Sequence, residues 1–195
     1  MNKILETLEA EREELADWRH DFHMHPELGL EETRTAGIVA QKLRSWGIEV
    51  TEHVGVTGVV GVINGDLGPG RSIGLRCDMD ALPITECSSQ SWKSTVKGKM
   101  HACGHDGHLA VGLGVAQWVK DHADQLCGKI KLVFQPAEEG TRGARPMAES
   151  GILDDVDFIV CTHIGSSVPL HQVAVCTHGY LATTKLEIYC DHSPA

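Results

Sequence analysis

Short apolar runs that alternate with longer amphipathic segments constrain the fold of this chain more than any other feature of its sequence. Five runs have the length and composition of β-strands, at 48–54, 58–63, 72–77, 129–134 and 157–162. Helical spacing of apolar side chains predicts three helices: one of about five turns that ends at His25-Pro26, one at 31–46 and one at 107–122. This alternation predicts an α/β fold, with a layered, mostly parallel sheet and helices on both faces.

Two details of the sheet follow from the same runs. Asn64-Gly65 predicts a turn between the second and third strands. The runs at 129–134 and 157–162 are largely apolar, which is typical of strands that are covered on both faces.

Three of the predicted strands are followed by acidic or histidine side chains. Asp78 and Asp80 follow the third run, Glu138-Glu139 follows the fourth, and His163 follows the fifth. In open α/β sheets, ligands bind beyond the carboxyl ends of the strands. We therefore expect these side chains to meet at one edge of the sheet.

The segment 100–108 places a thiol and three imidazoles within nine residues, just before a predicted helix. Cys103 and His105 are two residues apart in a glycine-containing loop, so both can reach one centre. Sulfur and nitrogen ligands favour zinc, manganese or cobalt over calcium or magnesium. A buried free cysteine beside ordinary loop histidines is the alternative. His101 and His108 are weaker ligand candidates, because a neutral histidine often only packs or hydrogen-bonds to a ligand.

The adjacent acids Glu138 and Glu139 lie in a turn between Pro136 and Gly140. Paired acids are often solvated and inactive, but a turn after a buried strand is not a typical surface run. One carboxylate can bind metal while the other accepts a proton from water. Asp80 is interpreted as a residue that orients the site, with a turn or helix cap as its alternative, and His163 as a ligand or a core histidine.

Composition excludes several classes of partner. The net charge is −10 with histidine neutral, which disfavours nucleic acid and anionic membranes. No apolar run approaches the roughly 20 residues that span a bilayer, and the amino end does not have the pattern of a secretory signal. The seven cysteines show no paired spacing, which favours a reducing cytoplasm over a disulfide framework.

Taken together, these motifs resemble the dinuclear metallopeptidase family of aminoacylases and glutamate carboxypeptidases. The similarity extends over about residues 10–190 and is strongest in four segments, 18–27, 76–83, 101–108 and 134–140. Within the family the chain resembles the amidohydrolase branch of hippurate, indole-acetyl-amino-acid and aminobenzoyl-glutamate hydrolases. Three shorter phrases are most similar to the aminobenzoyl-glutamate type, at 140–145, 163–165 and 182–185.

The resemblance implies a zinc-peptidase-like catalytic domain and a role for each matching residue. It implies Cys103, His105, Glu139 and His163 as ligands of two divalent metal ions: manganese or zinc, or else cobalt or nickel. It implies Glu138 as the general base and Asp80 as the residue that orients the site. The reaction is then hydrolysis of the amide that joins an acyl or aroyl group to an amino acid, with a small N-acyl amino acid as substrate.

The chain departs from this family because it is shorter than the family members that it resembles. Family members carry a lid domain, which also forms their dimer contact, and a last metal-binding histidine near the carboxyl end. We therefore expect residues 1–184 to be the amino-terminal part of the catalytic domain and residues 185–195 to begin the lid, in a fragment or a truncated gene product. The full-length form is expected to be a homodimer or a hetero-oligomer.

Two other functions stay open at this point. In one, Cys103 is a nucleophile activated by a neighbouring histidine, although nearby carboxylates disfavour a thiolate unless metal is present. In the other, the chain is an inactive, metal-binding remnant of such an enzyme, or acts through a partner chain.

Overall fold

The helices and strands of the chain follow one another in an α/β order. The computed structural model describes residues 3–140, 142–165, 168–170 and 172–175. Its elements are helices α1 (Lys3–Ala10), α2 (Arg12–Met24) and α3 (Thr33–Ser45), strands β1 (Glu49–Val54), β2 (Gly58–Asn64) and β3 (Ser72–Asp78), helix α4 (His105–Asp121), a 3-10 turn (Ala123–Gln125), strand β4 (Lys129–Gln135), helix α5 (Ala144–Glu149) and strand β5 (Phe158–Cys161). The chain divides into two compact units, Met1–Ile164 and Gly165–Ala195, and all these elements belong to the first.

The five strands form one sheet in the order β1-β2-β4-β3-β5. The α/β class is confirmed, but the sheet is mixed rather than mostly parallel. β3 pairs in parallel with β4 and β5, whereas β1 with β2 and β2 with β4 are antiparallel. The link of residues 55–57 between β1 and β2 is too short for the crossover that a parallel pair needs, so this pair is a hairpin.

Helices cover both faces of this sheet, as predicted. Along β2, Val59 faces a core that it shares with helices α2, α3 and α4, while Val60 faces a smaller core with α5. The two cores alternate because successive side chains of a strand point to opposite faces. Fully buried members of the larger core include Phe22, Val39, Leu43, Leu109, Leu113 and Phe134. Burying each of these side chains contributes about 1.5–3 kcal/mol.

The predicted first helix is wrong in one respect, because the structure divides it at Glu11 into α1 and α2. Between Leu8 and Leu15 the only apolar residue is Ala10. This stretch therefore has no apolar side chain of any size to hold a continuous helix against the core.

The expectation that both apolar runs are covered on two faces holds for β4 and is wrong for β5. β4 is central and mostly buried. In the part of the chain that the structure describes, β5 is an edge strand, and three of its side chains are about half exposed: Phe158 at 53%, Ile159 at 51% and Val160 at 48%. The turn predicted at Asn64-Gly65 follows β2 but does not join two paired strands. β2 and β3 are not neighbours in the sheet, because β4 lies between them.

Among the described residues, no helix combines the length and the apolar character needed to cross a membrane. The predicted beginning of a lid at 185–195 lies outside the described residues.

Candidate metal centre

Strands β4, β3 and β5 run parallel, so their carboxyl ends meet at one edge of the sheet. Asp78 ends β3 and Asp80 follows it; Glu138-Glu139 follows β4; His163 follows β5. The predicted convergence of these groups at one edge is therefore confirmed.

The amino end of α4 brings Cys103 and His105 to the same edge. Gly104, between them, has φ of 95° and forms the N-cap of the helix. A glycine adopts this left-handed conformation without the steric penalty of a Cβ atom. The Cys103 Sγ atom lies 3.5 Å from Nε2 of His163.

Two of the imidazoles are held so that Nε2 keeps a free lone pair. His105 donates from Nδ1 to the carbonyl oxygen of Asp80 at 2.7 Å. His163 donates from Nδ1 to the carbonyl oxygen of Ile164 at 2.8 Å. A neutral imidazole that donates from one nitrogen offers the other as a metal ligand.

The geometry and the donor types fit divalent metal. The ligand atoms of Cys103, His105 and His163 lie within 4.8 Å of one another, and so do those of His105, Glu138 and Glu139. His105 Nε2 lies 4.0 Å from Glu139 Oε1, and both atoms are buried without a hydrogen-bond partner among the described residues. Two metal–ligand bonds of about 2.1 Å span such a separation. His105 is common to these two sets, which together offer sulfur, nitrogen and oxygen donors. Such donors are suited to a zinc-like ion.

The electrostatic environment also favours positive charge at this site. Burial tends to lower the pKa of His105, but its hydrogen bond to Asp80 and the charges of Asp78 and Asp80 raise it. Burial, followed by the Glu139 carboxylate, raises the pKa of the Cys103 thiol to about 12. Binding of a cation would offset the negative charge of these acids and would favour the thiolate form of Cys103.

Asp80 holds both halves of the centre. Its carbonyl oxygen fixes His105, and its Oδ2 accepts a hydrogen bond from the backbone N–H of Glu139 at 2.8 Å. Burial tends to raise the pKa of Asp80, but the hydrogen bonds from His105 and from the backbone of Glu139 lower it overall. The side chain is thus an ionised acceptor that ties the carboxylate turn to the imidazole.

Glu32 is a functional candidate that the sequence did not reveal. Its fully buried carboxylate accepts from the backbone N–H of Ala137 at 2.8 Å and from Oγ1 of Thr57 at 2.6 Å. Ala137 has φ of 53°, a strained value for a residue with a side chain, and directly precedes Glu138. Glu32 therefore holds the strained residue that presents the pair of acids.

His108 and His101 differ in their surroundings. His108 donates from Nδ1 to Asp78 at 2.5 Å, and its Nε2 accepts from the backbone N–H of Ile164 at 2.9 Å. Its ligand atom also lies within 4.8 Å of those of Asp78 and His105. His101 is buried, and burial lowers its pKa to about 4; it belongs to none of the three candidate ligand sets among the described residues.

A second network of side chains is centred on the buried residues His23 and Asp106, and the sequence did not predict it. His23 contacts Asp106 at 3.0 Å and Glu86 at 3.2 Å, and Arg19 donates to Asp106 at 3.0 Å. Asp106 is the residue after His105, so this network anchors the first turn of α4. The sequence pattern alone indicates only a surface or packing role for His23.

Comparison with known proteins identifies a family that the chain matches and relatives with similar sequences. Residues 74–194 match the family described as Peptidase family M20/M25/M40. Thermostable carboxypeptidase 2 of Saccharolobus solfataricus is 47% identical over 173 residues, which cover 85% of this chain and 44% of the relative. A p-aminobenzoyl-glutamate hydrolase subunit of Escherichia coli is 38% identical over 222 residues, covering 90% of this chain and 50% of the relative.

A solved structure gives the same result. The YXEP protein of Bacillus subtilis, described as a dinuclear metal binding peptidase from the M20 family, superposes with a TM-score of 0.79 at 37% identity. The match covers 83% of this chain and 46% of that chain. The chain spans about half the length of the curated relatives it matches.

Proposed function

Because the chain belongs to peptidase family M20/M25/M40, we propose that it forms the metal-binding part of an amidohydrolase. The proposed substrate is an amide that joins an acyl or aroyl group to an amino acid. Two relatives support this class: one is named a carboxypeptidase and the other a hydrolase of p-aminobenzoyl-glutamate. Both names describe cleavage of an amide whose nitrogen belongs to an amino acid.

The observation on which the proposal depends is the group of uncommitted donor atoms at the sheet edge. Nε2 of His105 and Oε1 of Glu139 are buried without a partner among the described residues, beside Cys103 and His163. Leaving such atoms unsatisfied costs stability, so a buried cluster of this kind is suited to a cation. In the proposal, Cys103, His105, Glu139 and His163 hold two divalent ions.

The metal supplies one part of the chemistry: when bound, it polarises the substrate carbonyl and makes a water molecule more acidic. The protein supplies the proton transfers. Glu138 is exposed at the mouth of the site, with a carboxylate oxygen within 4.8 Å of the ligand atoms of His105 and Glu139. It accepts a proton from the attacking water and delivers one to the leaving amine, while Asp80 keeps His105 and the carboxylate turn in place.

The alternative in which Cys103 is a nucleophile has one favourable feature, the contact of its Sγ atom with Nε2 of His163 at 3.5 Å, but the pKa of the thiol argues against it. A nucleophilic cysteine needs a lowered pKa, whereas burial and Glu139 raise that of Cys103 to about 12. The thiol is better suited to act as a metal ligand.

Several finer points belong to the same proposal. Zinc or manganese is the proposed metal, because the donor set combines sulfur, nitrogen and oxygen. A reducing cytoplasm is the proposed location, supported by five described cysteines that are all free: Cys77, Cys87, Cys103, Cys127 and Cys161. Assembly of a full-length form as a homodimer or hetero-oligomer stays a prediction.

Metal binding gives the first test. Equilibrium dialysis of the chain against Zn²⁺, Mn²⁺ and Co²⁺ is expected to give two bound ions. His105→Ala is expected to weaken both sites, because His105 belongs to all three candidate ligand sets among the described residues. His122→Ala is the matched control, since His122 lies at the other end of α4. Equal binding by the two variants would contradict the proposed ligand set.

Hydrolysis gives the second test. Glu138→Ala is expected to keep its metal and to lose about 10²–10⁴-fold in turnover of p-aminobenzoyl-glutamate or an N-acetyl amino acid. Glu149→Ala, in the exposed ion pair of α5 with Arg145, is the control. Unchanged turnover in Glu138→Ala would contradict its assignment as the base. Metal binding without turnover in the unsubstituted chain would instead favour the inactive, metal-binding remnant.

A further inference from the structure

We propose that His108, fixed by Asp78, is the positioning residue for His163. The inference rests on the proposed function in one respect, since His163 is a metal ligand only there. His108 has no ligand role in that proposal. It acts on His163 through the backbone N–H of Ile164, the next residue.

The hydrogen bonds of His108 define its protonation. Its ring is 2% exposed and lies one turn after His105 in α4. Nε2 accepts from the backbone N–H of Ile164 at 2.9 Å, so this nitrogen must carry a lone pair. The proton therefore resides on Nδ1, which donates to Oδ1 of Asp78 at 2.5 Å.

Asp78 is a fixed anchor for that ring. Its side chain is fully buried at the end of β3, and its Oδ2 lies 2.7 Å from Nη1 of Arg76. This close ion pair and the complete burial of Asp78 restrict its carboxylate, which holds His108 in one rotamer and one tautomer. Both ring nitrogens of His108 are then committed to the protein, which argues against His108 as a ligand.

Among the described residues, the segment that His108 holds lies at an exposed edge of the sheet. His163 is exposed and follows the exposed edge strand β5. Its ring donates to the carbonyl oxygen of Ile164 and lies in a T-shaped contact 4.6 Å from the ring of His108. The side chain of Ile164 packs over Gly107, where an added Cβ would lie 2.4 Å from its Cδ1 atom. His108 and Gly107 thus fix the peptide on which the orientation of His163 depends.

The test compares three variants of the chain. His108→Phe keeps a ring and removes both hydrogen bonds. His108→Gln keeps an acceptor that reaches Ile164, and His108→Asn keeps a donor toward Asp78 but is too short to reach Ile164. His122→Phe, at the other end of the same helix, controls for the loss of an imidazole.

The first readout is hydrogen exchange of the Ile164 amide in metal-free protein. We expect exchange at least about 10-fold faster in the Phe and Asn variants, near-native exchange in the Gln variant and no change in the His122 control. Native protection in both the Phe and the Asn variants would overturn the inference. If His108→Phe does not fold, as judged by circular dichroism, His108→Asn makes the same comparison.

The second readout is a titration with Co²⁺, followed by the thiolate-to-cobalt absorption of Cys103. The Phe and Asn variants are expected to bind the same number of ions about 10–100-fold more weakly, and the Gln variant to recover most of the affinity. Loss of a whole equivalent of metal in His108→Phe would overturn the positioning role in favour of direct ligation. If the unsubstituted chain binds no Co²⁺, the proposed function fails and His163 has no ligand role to support. The amide exchange would still report separately whether His108 holds the segment.

Discussion

Two histidines of the candidate centre have one ring nitrogen committed to a backbone carbonyl, which leaves the other nitrogen for a ligand. His105 donates to Asp80 and His163 donates to Ile164, and in both rings Nε2 is left as the acceptor. The tautomer is thus selected by the fold itself. Metal binding to such residues does not have to reverse a proton position, so less reorganisation opposes it.

Glu32 is expected to stabilise the turn that carries Glu138 and Glu139. Glu32→Ala removes two hydrogen bonds and leaves the Ala137 N–H buried, so we expect a loss of about 1–3 kcal/mol in the free energy of unfolding. Glu32→Gln can accept from Ala137 and donate to the Thr57 hydroxyl, so its loss should be smaller. Urea unfolding measures both, and turnover should fall with Glu32→Ala because Ala137 precedes Glu138.

The adjacent Glu31 provides the control for this prediction. It is exposed and pairs with Lys99 at the surface, so Glu31→Ala should change stability by at most about 1 kcal/mol. Equal losses for Glu31→Ala and Glu32→Ala would mean that the buried hydrogen bonds do not stabilise the turn.

This pair also shows the limit of sequence reasoning for single residues. Cys103, His105 and the pair Glu138-Glu139 could be chosen as candidates from the sequence because their chemistry is concentrated in short motifs. Glu31 and Glu32 are identical in type and adjacent, and only the position of α3 against the strained Ala137 distinguishes them. The same holds for His108, whose partners Asp78 and Ile164 are 30 and 56 residues away.

Among the elements, helix α4 is placed by a close approach to the sheet. A Cβ at Gly112 would lie 2.6 Å from Sγ of Cys77 and 3.0 Å from the ring of Phe134. This glycine lets the helix lie directly on β3 and β4, and it sets the height at which Cys103 and His105 reach the strand ends. Packing here takes precedence over helix propensity, for which glycine is unfavourable.

Substitution of two helical glycines should therefore have opposite effects. Gly112→Ala is expected to lower the free energy of unfolding by about 1–3 kcal/mol, because an added methyl group overpacks the core. Gly37→Ala, in α3, should raise it by about 0.5–1 kcal/mol, since no atom of the described residues lies within 4 Å of the added Cβ. Urea unfolding compares the two, and stabilisation by Gly112→Ala would contradict the close packing of α4.

Element positions were largely predictable from periodicity, whereas their arrangement was not. The predicted strands agree with β1 to β5 to within one residue at each end. Their order could not be derived, because the insertion of β4 between β2 and β3 depends on pairing across 57 residues or more, such as Cys77 with Phe134. The local sequence pattern contains no information on which distant strands pair. For the same reason the sequence predicted a mostly parallel sheet, whereas the observed sheet is mixed.

At the scale of the whole molecule, one buried network joins three separate stretches of chain. His23 lies in α2, Asp106 in α4, and Glu86 in the long connection between β3 and α4. Glu86 also accepts from the backbone N–H of Ser94 within that connection. The network links the stability of the fold to the position of His105, the residue before Asp106.

Protonation of His23 should therefore set part of the pH dependence of folding. The hydrogen bond to Asp106 is the largest influence and raises the pKa of His23, burial opposes it, and the charges of Asp106 and Glu86 raise it further. A folded pKa above the unfolded value of about 6.5 means that the stabilisation is complete below pH 6.5 and is lost as pH rises through the folded pKa. The difference in free energy of unfolding between the unsubstituted chain and His23→Gln should therefore be constant below about pH 6.5 and should shrink as the pH rises above it.

The partner of His23 offers an independent check on the cause. Burial tends to raise the pKa of Asp106, but the hydrogen bond from His23 and the charges of His101 and Arg19 lower it to about 2. Asp106 is thus ionised throughout this pH range, and Asp106→Asn should remove most of the dependence that His23→Gln removes. The measurement is urea unfolding at several pH values with a chelator present, because metal release also takes up protons. A stability difference between the unsubstituted chain and His23→Gln that stays constant over this range would show that His23 does not change protonation with folding.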